Sequence, residues 1–326
     1  MSVTVRVPAK VNVQLAVGAA RPDGFHDLAN VFLAVGLYDE VTVTPADELR
    51  ITCEGPDAGQ VPLDRTNLAA RAAIALAGRR GIEPAVHIHI AKDIPVAGGM
   101  AGGSADGAGA LLACNELWRA GASRAELLAI CADLGSDVPF SLVGGAALGT
   151  GRGERLSVLD VGGTFHWVFA MAERGLSTPA VFREFDRLAE GLDIPEPVAS
   201  PDLLDALAKG DADALAAAVS NDLQPAALSL FPELADTLAA GRAAGALTAL
   251  VSGSGPTTAF LVRDPESATK VSEALLASGT CRTVRTATAP APGASVLPAA
   301  PENDRPIPAS VTKGTATGQA DGAVTS

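Results

Sequence analysis

The chain has 326 residues, 48% of them hydrophobic and only 4% aromatic, so we expect about two domains whose cores are built mainly from Ala, Val and Leu. Its net charge of −13 argues against a nucleic-acid partner, which normally meets a basic surface, but permits a local positive site for a nucleotide. No secretion signal opens the chain, and no run of about 18 apolar residues occurs in it. We therefore expect a soluble cytoplasmic protein, a monomer or a weak homodimer, without a membrane partner.

The first half reads mostly as strands with helices after them. Valine and leucine alternate with other residues at 3–7 and at 11–17, which is the period of half-buried strands. Further elements are predicted as strands at 41–44, 49–53 and 86–90 and as helices at 67–80 and 105–120. Ser123 and Glu126 form a capping box that opens a helix ending near Gly135. This arrangement predicts an α+β unit.

The second half is expected to begin near a strand at 165–171. Thr178 and Pro179 are predicted as the N-cap and first residue of a helix that runs to Leu188. More elements are predicted as helices at 202–209, 212–219, 232–244 and 265–277 and as strands at 247–252, 257–262 and 282–287. From about Pro290 the chain has no apolar period, which is typical of a disordered tail. The predicted units are domains at 1–160 and 161–297 and a disordered tail at 298–326.

The residues with metal-binding side chains are too scattered to predict a metal site. The cysteines stand at positions 53, 114, 131 and 281, without a C-x-x-C pair, and we expect them to be small buried thiols in a reducing compartment. His87 and His89 alternate with apolar residues on one predicted strand, but no third ligand is near them in sequence. We interpret this pair as a polar strand face.

Residues 94–108 carry the most informative local pattern, I-P-V-A-G-G-M-A-G-G-S-A-D-G-A. Glycines permit tight turns and leave backbone N–H groups uncovered, so such a loop can wrap closely around an anion. The helix predicted after it adds unsatisfied N–H donors and a partial positive charge. Together these features predict a phosphate-binding loop or, without a ligand, a glycine-rich connection between a strand and a helix.

The spacing of this glycine loop differs from two common phosphate-binding motifs. A Walker loop, G-x-x-x-x-G-K-[ST], would have a lysine where this chain has Ser104. The dinucleotide motif G-x-G-x-x-G is not found between Gly98 and Gly103. Any lysine that contacts the phosphates must therefore come from another part of the chain.

Three segments, in this order, resemble the motifs of the GHMP kinases, the superfamily of galactose, homoserine, mevalonate and phosphomevalonate kinases. They are P-A-K-V-N at 8–12, the glycine loop, and V-S-G-S-G-P-T-T at 251–258. The resemblance covers the chain from Val7 to about Val262. It implies the α+β, two-domain GHMP kinase fold, with an N-terminal ribosomal-protein-S5-domain-2-like α/β domain and a C-terminal ferredoxin-like α/β domain.

Two further segments look like the signature of one family in this superfamily, the 4-diphosphocytidyl-2-C-methyl-D-erythritol kinases. They are R-P-D-G-F-H at 21–26, which homoserine and mevalonate kinases lack, and L-G-S-D-V-P-F at 134–140. The resemblance implies ATP-dependent phosphorylation of the 2-hydroxyl of a CDP-linked methylerythritol, in the non-mevalonate route to isoprenoids. The alternatives are another GHMP kinase of the homoserine or mevalonate type, or a catalytically silent member that binds a ligand.

The resemblance implies a catalytic pair, Lys10 and Asp137. Asp137 would accept the proton of the attacking hydroxyl, although its place beside Pro139 also suits a turn or a helix cap. Lys10 would lie near it, keeping the carboxylate ionised and offsetting the developing charge. Asn12, on the same strand face as Lys10, would hydrogen-bond the substrate.

The resemblance also implies an ATP site around the glycine loop. The residues assigned to ATP are Pro95, Gly98, Gly99, Gly102, Gly103 and Ser104. Mg²⁺ is expected with ATP because phosphoryl transfer requires the charge of the β- and γ-phosphates to be neutralised. The nucleotide would hold most of the metal's coordination, with the Ser104 hydroxyl as the best protein ligand.

For the cytosine ring, the resemblance assigns His26 to the edge of the base and Phe25 to its face. The family's frequent tyrosine is here phenylalanine, which keeps the stacking ring and lacks the hydroxyl. Phe182 is a candidate for the opposite wall, or else a core aromatic. The third motif closes over the substrate in this superfamily, or else forms a tight hairpin only. Its residues assigned to substrate are Gly253, Ser254 and Gly255.

Overall fold

The computed structural model describes residues 2–298, so the predicted tail at 298–326 lies outside the described residues except for its first position. The strands form two sheets. The larger sheet contains β1 (Val3–Ala20), β2 (His26–Pro45), β3 (Arg50–Glu54), β4 (Val86–Ala91), β5 (Ala146–Thr150), β6 (Arg155–Leu159), β8 (Ser220–Asn221) and β12 (Ser295–Val296). The smaller sheet contains β7 (Phe165–Met171), β9 (Thr248–Val251), β10 (Thr258–Val262) and β11 (Thr283–Ala289).

The helices follow the glycine-rich and proline-rich turns that the sequence marks. In chain order they are α1 (Leu68–Arg80), α2 (Gly102–Leu117), α3 (Arg124–Leu134), α4 (Val138–Val143), α5 (Thr178–Leu188), α6 (Pro201–Lys209), α7 (Ala212–Ala218), α8 (Gln224–Leu230), α9 (Leu234–Ala243) and α10 (Pro265–Ser278). The mixture of sheets and helices confirms the predicted α+β class.

β1 and β2 form the centre of the larger sheet and are longer than the predicted strands. They pair as an antiparallel ribbon from Val3 opposite Val43 to Ala20 opposite His26. β1 is one strand rather than two, and the strand predicted at 41–44 is only the end of β2. Both strands are buried on both faces in their middle parts, so the alternation that marks a half-buried strand is lost there.

Helices α1 and α3 begin and end where local signals predict. The Asn67 side chain accepts a hydrogen bond from the Ala69 N–H at the start of α1, and Gly81 ends that helix in the left-handed conformation. Ser123 and Glu126 exchange the two hydrogen bonds of a capping box at the start of α3. Caps are predictable because they depend on side chains within one helical turn.

The smaller sheet has the strand order β11-β7-β10-β9, and all its neighbours are antiparallel. Helices α5 to α9 connect β7 to β9, a tight turn connects β9 to β10, and α10 connects β10 to β11. This is the β-α-β-β-α-β connection of a ferredoxin-like unit, with extra helices in the first crossover. The predicted ferredoxin-like C-terminal architecture is therefore present.

Several elements differ from the predictions. The N-cap residue of α5 is Ser177 rather than Thr178, and neither side chain caps the helix. The Thr178 hydroxyl hydrogen-bonds Ser254 Oγ at 2.8 Å instead. The sequence pattern did not predict β5, β6, α4 and α8, nor the two-residue strands β8 and β12. Runs of five to seven residues hold too few repeats for a period to show.

The main hydrophobic core is continuous between the two halves of the chain. Val7 and Leu111 from the first half belong to the same cluster as Trp167 and Leu250 from the second. The predicted domain boundary at residue 160 therefore divides a chain whose two parts share one core. The division into two domains stays a prediction. Between residues 2 and 298, no helix is long and apolar enough to cross a membrane.

The cysteines follow the expected small buried role only in part. Cys114 and Cys131 are buried, and burial raises the pKa of both thiols to about 12, so they are unreactive at neutral pH. Cys53 and Cys281 are half-buried instead, which corrects the prediction for these two.

A matched pair of glycine substitutions tests the packing of the smaller sheet against α9. A Cβ on Gly241 would overlap the buried ring of Phe260 in β10, whereas a Cβ on Gly78 of α1 would meet nothing. We expect Gly241→Ala to lower the free energy of unfolding by about 1–3 kcal/mol through overpacking. Gly78→Ala should raise it by about 0.5–1 kcal/mol through helix propensity. Urea denaturation measures both, and equal effects of the two substitutions would contradict this packing.

Candidate active site

One large cavity of about 650 Å³ collects the residues that the sequence motifs single out. Its lining includes every predicted site residue except Gly255, namely Lys10, Asn12, Phe25, His26, Pro95, Gly98, Gly99, Gly102, Gly103, Ser104, Asp137, Phe182, Gly253 and Ser254. Gly255 lies behind the wall, where its amide nitrogen would be 3.0 Å from a Cβ on Gly99. Segments separated by more than 200 residues thus meet around one space.

The glycine loop ends directly in α2, which begins at Gly102 rather than at residue 105 as predicted. The N-cap residue, Ala101, offers no side-chain acceptor to the first turn. Within residues 2–298, the N–H groups of Gly102, Gly103 and Ser104 donate no hydrogen bond. These donors and the positive end of the helix dipole lie at the cavity wall, an arrangement suited to a phosphate.

The third motif packs directly on the glycine loop. The Thr257 N–H donates to the Gly98 carbonyl at 3.3 Å, and the Ser252 hydroxyl donates to the Gly99 carbonyl at 3.1 Å. Gly99 has a positive φ of 74°, and a Cβ there would overlap the Ser252 carbonyl. Only glycine permits this approach, so the two motifs fix each other's backbone.

Lys10 lies in β1, and its ammonium group joins three segments. It donates to Asn12 Oδ1 at 2.6 Å and to the Gly99 carbonyl at 2.8 Å, and it lies 3.7 Å from Asp137 Oδ2. Burial lowers the pKa of Lys10, and the Asp137 carboxylate opposes that shift. The Asn12 amide in turn donates to Asn30 Oδ1 at 2.6 Å, which fixes its orientation.

Asp137 occupies the N-cap position of α4, but its side chain makes no capping hydrogen bond. The Asp137 side chain therefore does not cap the helix, a role that its place in the sequence also suited. Its side chain is 32% exposed and faces the cavity beside Lys10. The carboxylate is thus free to accept a proton or a hydrogen bond from a molecule in the cavity.

The other end of the cavity is aromatic. The His26 ring is buried, 5.0 Å between centroids from Phe182, and Nε2 lies 2.8 Å from Asp186 Oδ1. Phe25 is 48% exposed, with the Arg152 guanidinium 5.1 Å from its ring centroid. Such a partly exposed ring beside a second aromatic wall suits a flat heterocycle.

Some residues of the cavity were not predicted. Arg152, Arg183 and Asp186 line it, and Asn30 lies behind Asn12. Arg152 follows an unpredicted strand, and the other two lie on the same helix as Phe182. A carboxylate or guanidinium on a half-exposed helix looks like an ordinary solvated side chain, so the sequence held no signal for them.

A buried cluster of charged residues, Lys92, Asp39 and Asp106, lies next to the glycine loop. The sequence did not predict it. The Lys92 ammonium lies between Asp39, to which it hydrogen-bonds, and Asp106 at 3.1 Å. Asp39 also accepts hydrogen bonds from the N–H groups of Asp93 and Ile94, at 2.7 and 2.8 Å. The cluster therefore ties β2 to the segment entering the glycine loop and to the first turn of α2.

The charges of this cluster are set by burial and by the single lysine. Burial alone would lower the pKa of Lys92, but Asp106 and Asp39 outweigh it and the pKa is raised. Burial raises the pKa of Asp106 to about 8, Lys92 opposes the rise, and the Asp39 carboxylate adds to it. Burial and the neighbouring Asp39 carboxylate thus favour the protonated form of Asp106.

The described part of the chain contains no group of three or more His, Cys, Asp or Glu residues able to hold a metal ion. His87 and His89 both contact the Thr52 hydroxyl, at 2.7 and 2.9 Å. Ser104 lines the cavity, and its hydroxyl makes no side-chain hydrogen bond within residues 2–298. A hydroxyl oxygen of this kind can ligate a hard cation such as Mg²⁺.

Both halves of the chain resemble known proteins. Residues 67–145 match the family model of the GHMP kinases N terminal domain, and residues 203–280 match that of the GHMP kinases C terminal domain. The phosphate-binding loop and the two-sheet fold thus define a kinase of the GHMP class. A protein of Streptomyces avermitilis, named 4-diphosphocytidyl-2-C-methyl-D-erythritol kinase, is 83% identical over 91% of this chain and all of its own length. The chain belongs to the 4-diphosphocytidyl-2-C-methyl-D-erythritol kinase family.

Further relatives agree with that assignment. The kinase of the same name from Thermobifida fusca is 59% identical and covers 91% of this chain and 98% of its own. A crystal structure of 4-(cytidine 5'-diphospho)-2C-methyl-D-erythritol kinase superposes with a TM-score of 0.72 at 33% identity, covering 88% of this chain and 99% of its own. A homoserine kinase from Cytophaga hutchinsonii shares the fold, with a TM-score of 0.69, 21% identity and coverage of 91% of this chain and 97% of its own.

The pH dependence of stability tests the buried cluster. Because the folded state raises the pKa of Asp106 to about 8, it keeps a proton between pH 4 and 8 that the unfolded chain loses. The free energy of unfolding should therefore fall as pH rises through this window, by at most about 1.4 kcal/mol per pH unit from this group. Asp106→Asn, which resembles the protonated form, should remove that slope.

Denaturant titrations at pH 5, 6, 7 and 8 measure this effect. The free energy of unfolding of Asp106→Asn minus that of the wild-type protein should increase with pH. Asp133→Asn, at an exposed position on α3, is the matched control. Its free energy of unfolding should change with pH in the same way as that of the wild type. Parallel curves for Asp106→Asn as well would mean that Asp106 is ionised in the folded protein.

Proposed function

We propose that this chain transfers the γ-phosphoryl group of ATP to the 2-hydroxyl of 4-diphosphocytidyl-2-C-methyl-D-erythritol, giving the 2-phosphate and ADP. This reaction belongs to the non-mevalonate pathway of isoprenoid precursor synthesis. The observation that carries the proposal is the meeting of Lys10 and Asp137 beside the glycine loop, in a chain 83% identical to a kinase of this name. The homoserine kinase likeness, at 21% identity, concerns the fold alone.

In this proposal Asp137 is the general base. Its carboxylate accepts the proton of the 2-hydroxyl as that oxygen attacks the γ-phosphorus. Lys10 lies 3.7 Å from that carboxylate, and its charge stabilises the oxygens of the transferring group. Asn12, held by Asn30 and Lys10, orients the substrate hydroxyl.

The phosphates of ATP lie against the start of α2. The free N–H groups there, with those of the loop, bind the phosphate oxygens. The residues assigned to ATP are Pro95, Gly98, Gly99, Gly102, Gly103 and Ser104. The Ser104 hydroxyl would be the protein ligand of a Mg²⁺ ion bound together with ATP, and that ion would supply neutralisation of phosphate charge.

The cytidine diphosphate part of the substrate occupies the aromatic end. Phe25 and Phe182 flank the base, and His26 reads its edge. Arg152 and Arg183 line the same region and meet the diphosphate charge. The third motif, Gly253, Ser254 and Gly255, closes the substrate side next to Lys10 and Asn12.

The acceptor specificity is tested by measuring ADP release with three alcohols. We expect turnover with the CDP-linked methylerythritol and a kcat/KM at least about 1,000-fold lower with homoserine or mevalonate, because neither fills the aromatic end. A coupled ADP assay with ATP and Mg²⁺ measures all three. Turnover of homoserine or mevalonate without turnover of the CDP-linked alcohol would overturn the proposed acceptor.

Asp137→Asn tests the general base. The amide keeps the shape of the side chain but cannot take a proton, so kcat should fall by about 100-fold to 10,000-fold. Both KM values should change by less than about threefold, because the pocket is unchanged. Asp133→Asn, an exposed carboxylate on the preceding helix, is the control and should retain wild-type turnover. Unchanged turnover in Asp137→Asn would show that Asp137 is not the base.

A further inference from the structure

Within residues 2–298, the imidazole of the buried His26 has one hydrogen-bond partner, which comes from the other half of the chain. Nε2 of His26 lies 2.8 Å from Oδ1 of Asp186, although the residues are 160 positions apart. Asp186 stands one helical turn after Phe182 on α5, so the same face of the helix carries both residues. Phe182 and Phe185 hold the imidazole ring, with centroids at 5.0 and 5.9 Å.

This contact decides where the proton of the neutral imidazole lies. An ionised carboxylate only accepts hydrogen bonds, so Nε2 must be the donor towards Asp186. A neutral ring that carries its proton on Nε2 presents Nδ1 as an acceptor. The partner of a histidine nitrogen thus fixes the role of the opposite nitrogen.

The acceptor nitrogen faces open space. Within residues 2–298, Nδ1 of His26 makes no hydrogen bond. It is also not one of the fully buried side-chain atoms that lack a partner, which are Asp106 Oδ1 and Trp167 Nε1. Since His26 lines the cavity, Nδ1 is accessible to a molecule bound there.

An acceptor at this position distinguishes two pyrimidines. Cytosine carries an amino group at C4, which donates a hydrogen bond, whereas uracil carries a carbonyl oxygen there, which accepts one. A lone pair on Nδ1 therefore pairs with cytosine and opposes uracil. The opposite tautomer would reverse this preference.

We propose that Asp186 is a positioning residue for base selection: by accepting the Nε2 hydrogen bond it holds Nδ1 of His26 as an acceptor, and the site therefore selects cytosine over uracil nucleotides. This inference rests on the proposed function, because it assumes that the base of the substrate binds at the aromatic end. Asp186 itself does not contact the reacting atoms. Its effect is on recognition of the base and not on the chemical step.

Kinetics with two substrates test the proposal. The wild-type protein should prefer the CDP-linked methylerythritol over its UDP-linked counterpart by about 100-fold or more in kcat/KM. In Asp186→Ala this ratio should fall at least about tenfold, because the imidazole can then move its proton to Nδ1. The change should come from KM for the nucleotide-linked alcohol, with kcat and KM for ATP within about threefold.

Two variants separate this role from a structural one. Asp186→Asn keeps the shape and can present either its oxygen or its NH₂ group to Nε2, so the ratio should fall by a smaller factor. Glu184→Gln makes the same chemical change two residues away on α5, where the carboxylate bonds Arg187 and Ser229, and should leave the ratio unchanged. An unchanged ratio in both Asp186 variants, or an equal fall in Glu184→Gln, would overturn the proposal.

The tautomer can be measured without substrate. In ¹⁵N-labelled wild-type protein, the nitrogen shifts of His26 should show a protonated Nε2 and an unprotonated Nδ1, and this pattern should be lost in Asp186→Ala. A proton on Nδ1 in the wild type would overturn the proposal even if the variants failed to fold. Wild-type protein that phosphorylated neither alcohol would refute the proposed function, and the nitrogen shifts would still decide whether Asp186 sets the tautomer.

Discussion

The ammonium group of Lys10 is almost fully buried, and it contacts β1, the glycine loop and the turn before α4 at once. Removing an ammonium from water is costly unless hydrogen-bond acceptors and a counter-charge replace the lost hydration. Here these are Asn12, the Gly99 carbonyl and Asp137. The positions of the loop, the third motif packed on it, and the carboxylate therefore all depend on how this one charge is accommodated.

Among residues 2–298, Lys92 is also buried, but unlike Lys10 it does not line the cavity. Lys92 lies between Asp39 and Asp106, and their carboxyl groups raise its pKa despite burial. Its charge is used to hold the base of the loop. Lys10 has a single carboxylate neighbour at 3.7 Å, and burial lowers its pKa. The glycine loop, which has no lysine at the Walker position, is thus contacted by a lysine from β1, while Lys92, which is nearer in sequence, is structural.

Local signals predicted much of the secondary structure. Asn67, Gly81 and the Ser123–Glu126 capping box mark helix ends because their hydrogen bonds close within one turn. β2 was predicted only at 41–44, since its buried residues on both faces remove the alternation. Thr178 was predicted as a cap, but its hydroxyl bonds Ser254 from the third motif instead. These errors occur where a tertiary contact replaces a local one.

The sequence by itself determined the glycine loop, the helix caps and the motifs whose order indicated a GHMP kinase, because these depend on residues close together in the chain. The tertiary structure decided which groups face each other. The resemblance already predicted that Lys10 lies near Asp137, and the structure brings the two together across 127 residues. The contact between Asp186 and His26, across 160 residues, was not predicted. Such pairs depend on how long strands cross and how helices pack, which involves the whole core. No local preference of Asp186 distinguishes it from its solvated neighbours on α5, and only the fold brings it to His26 at the cavity.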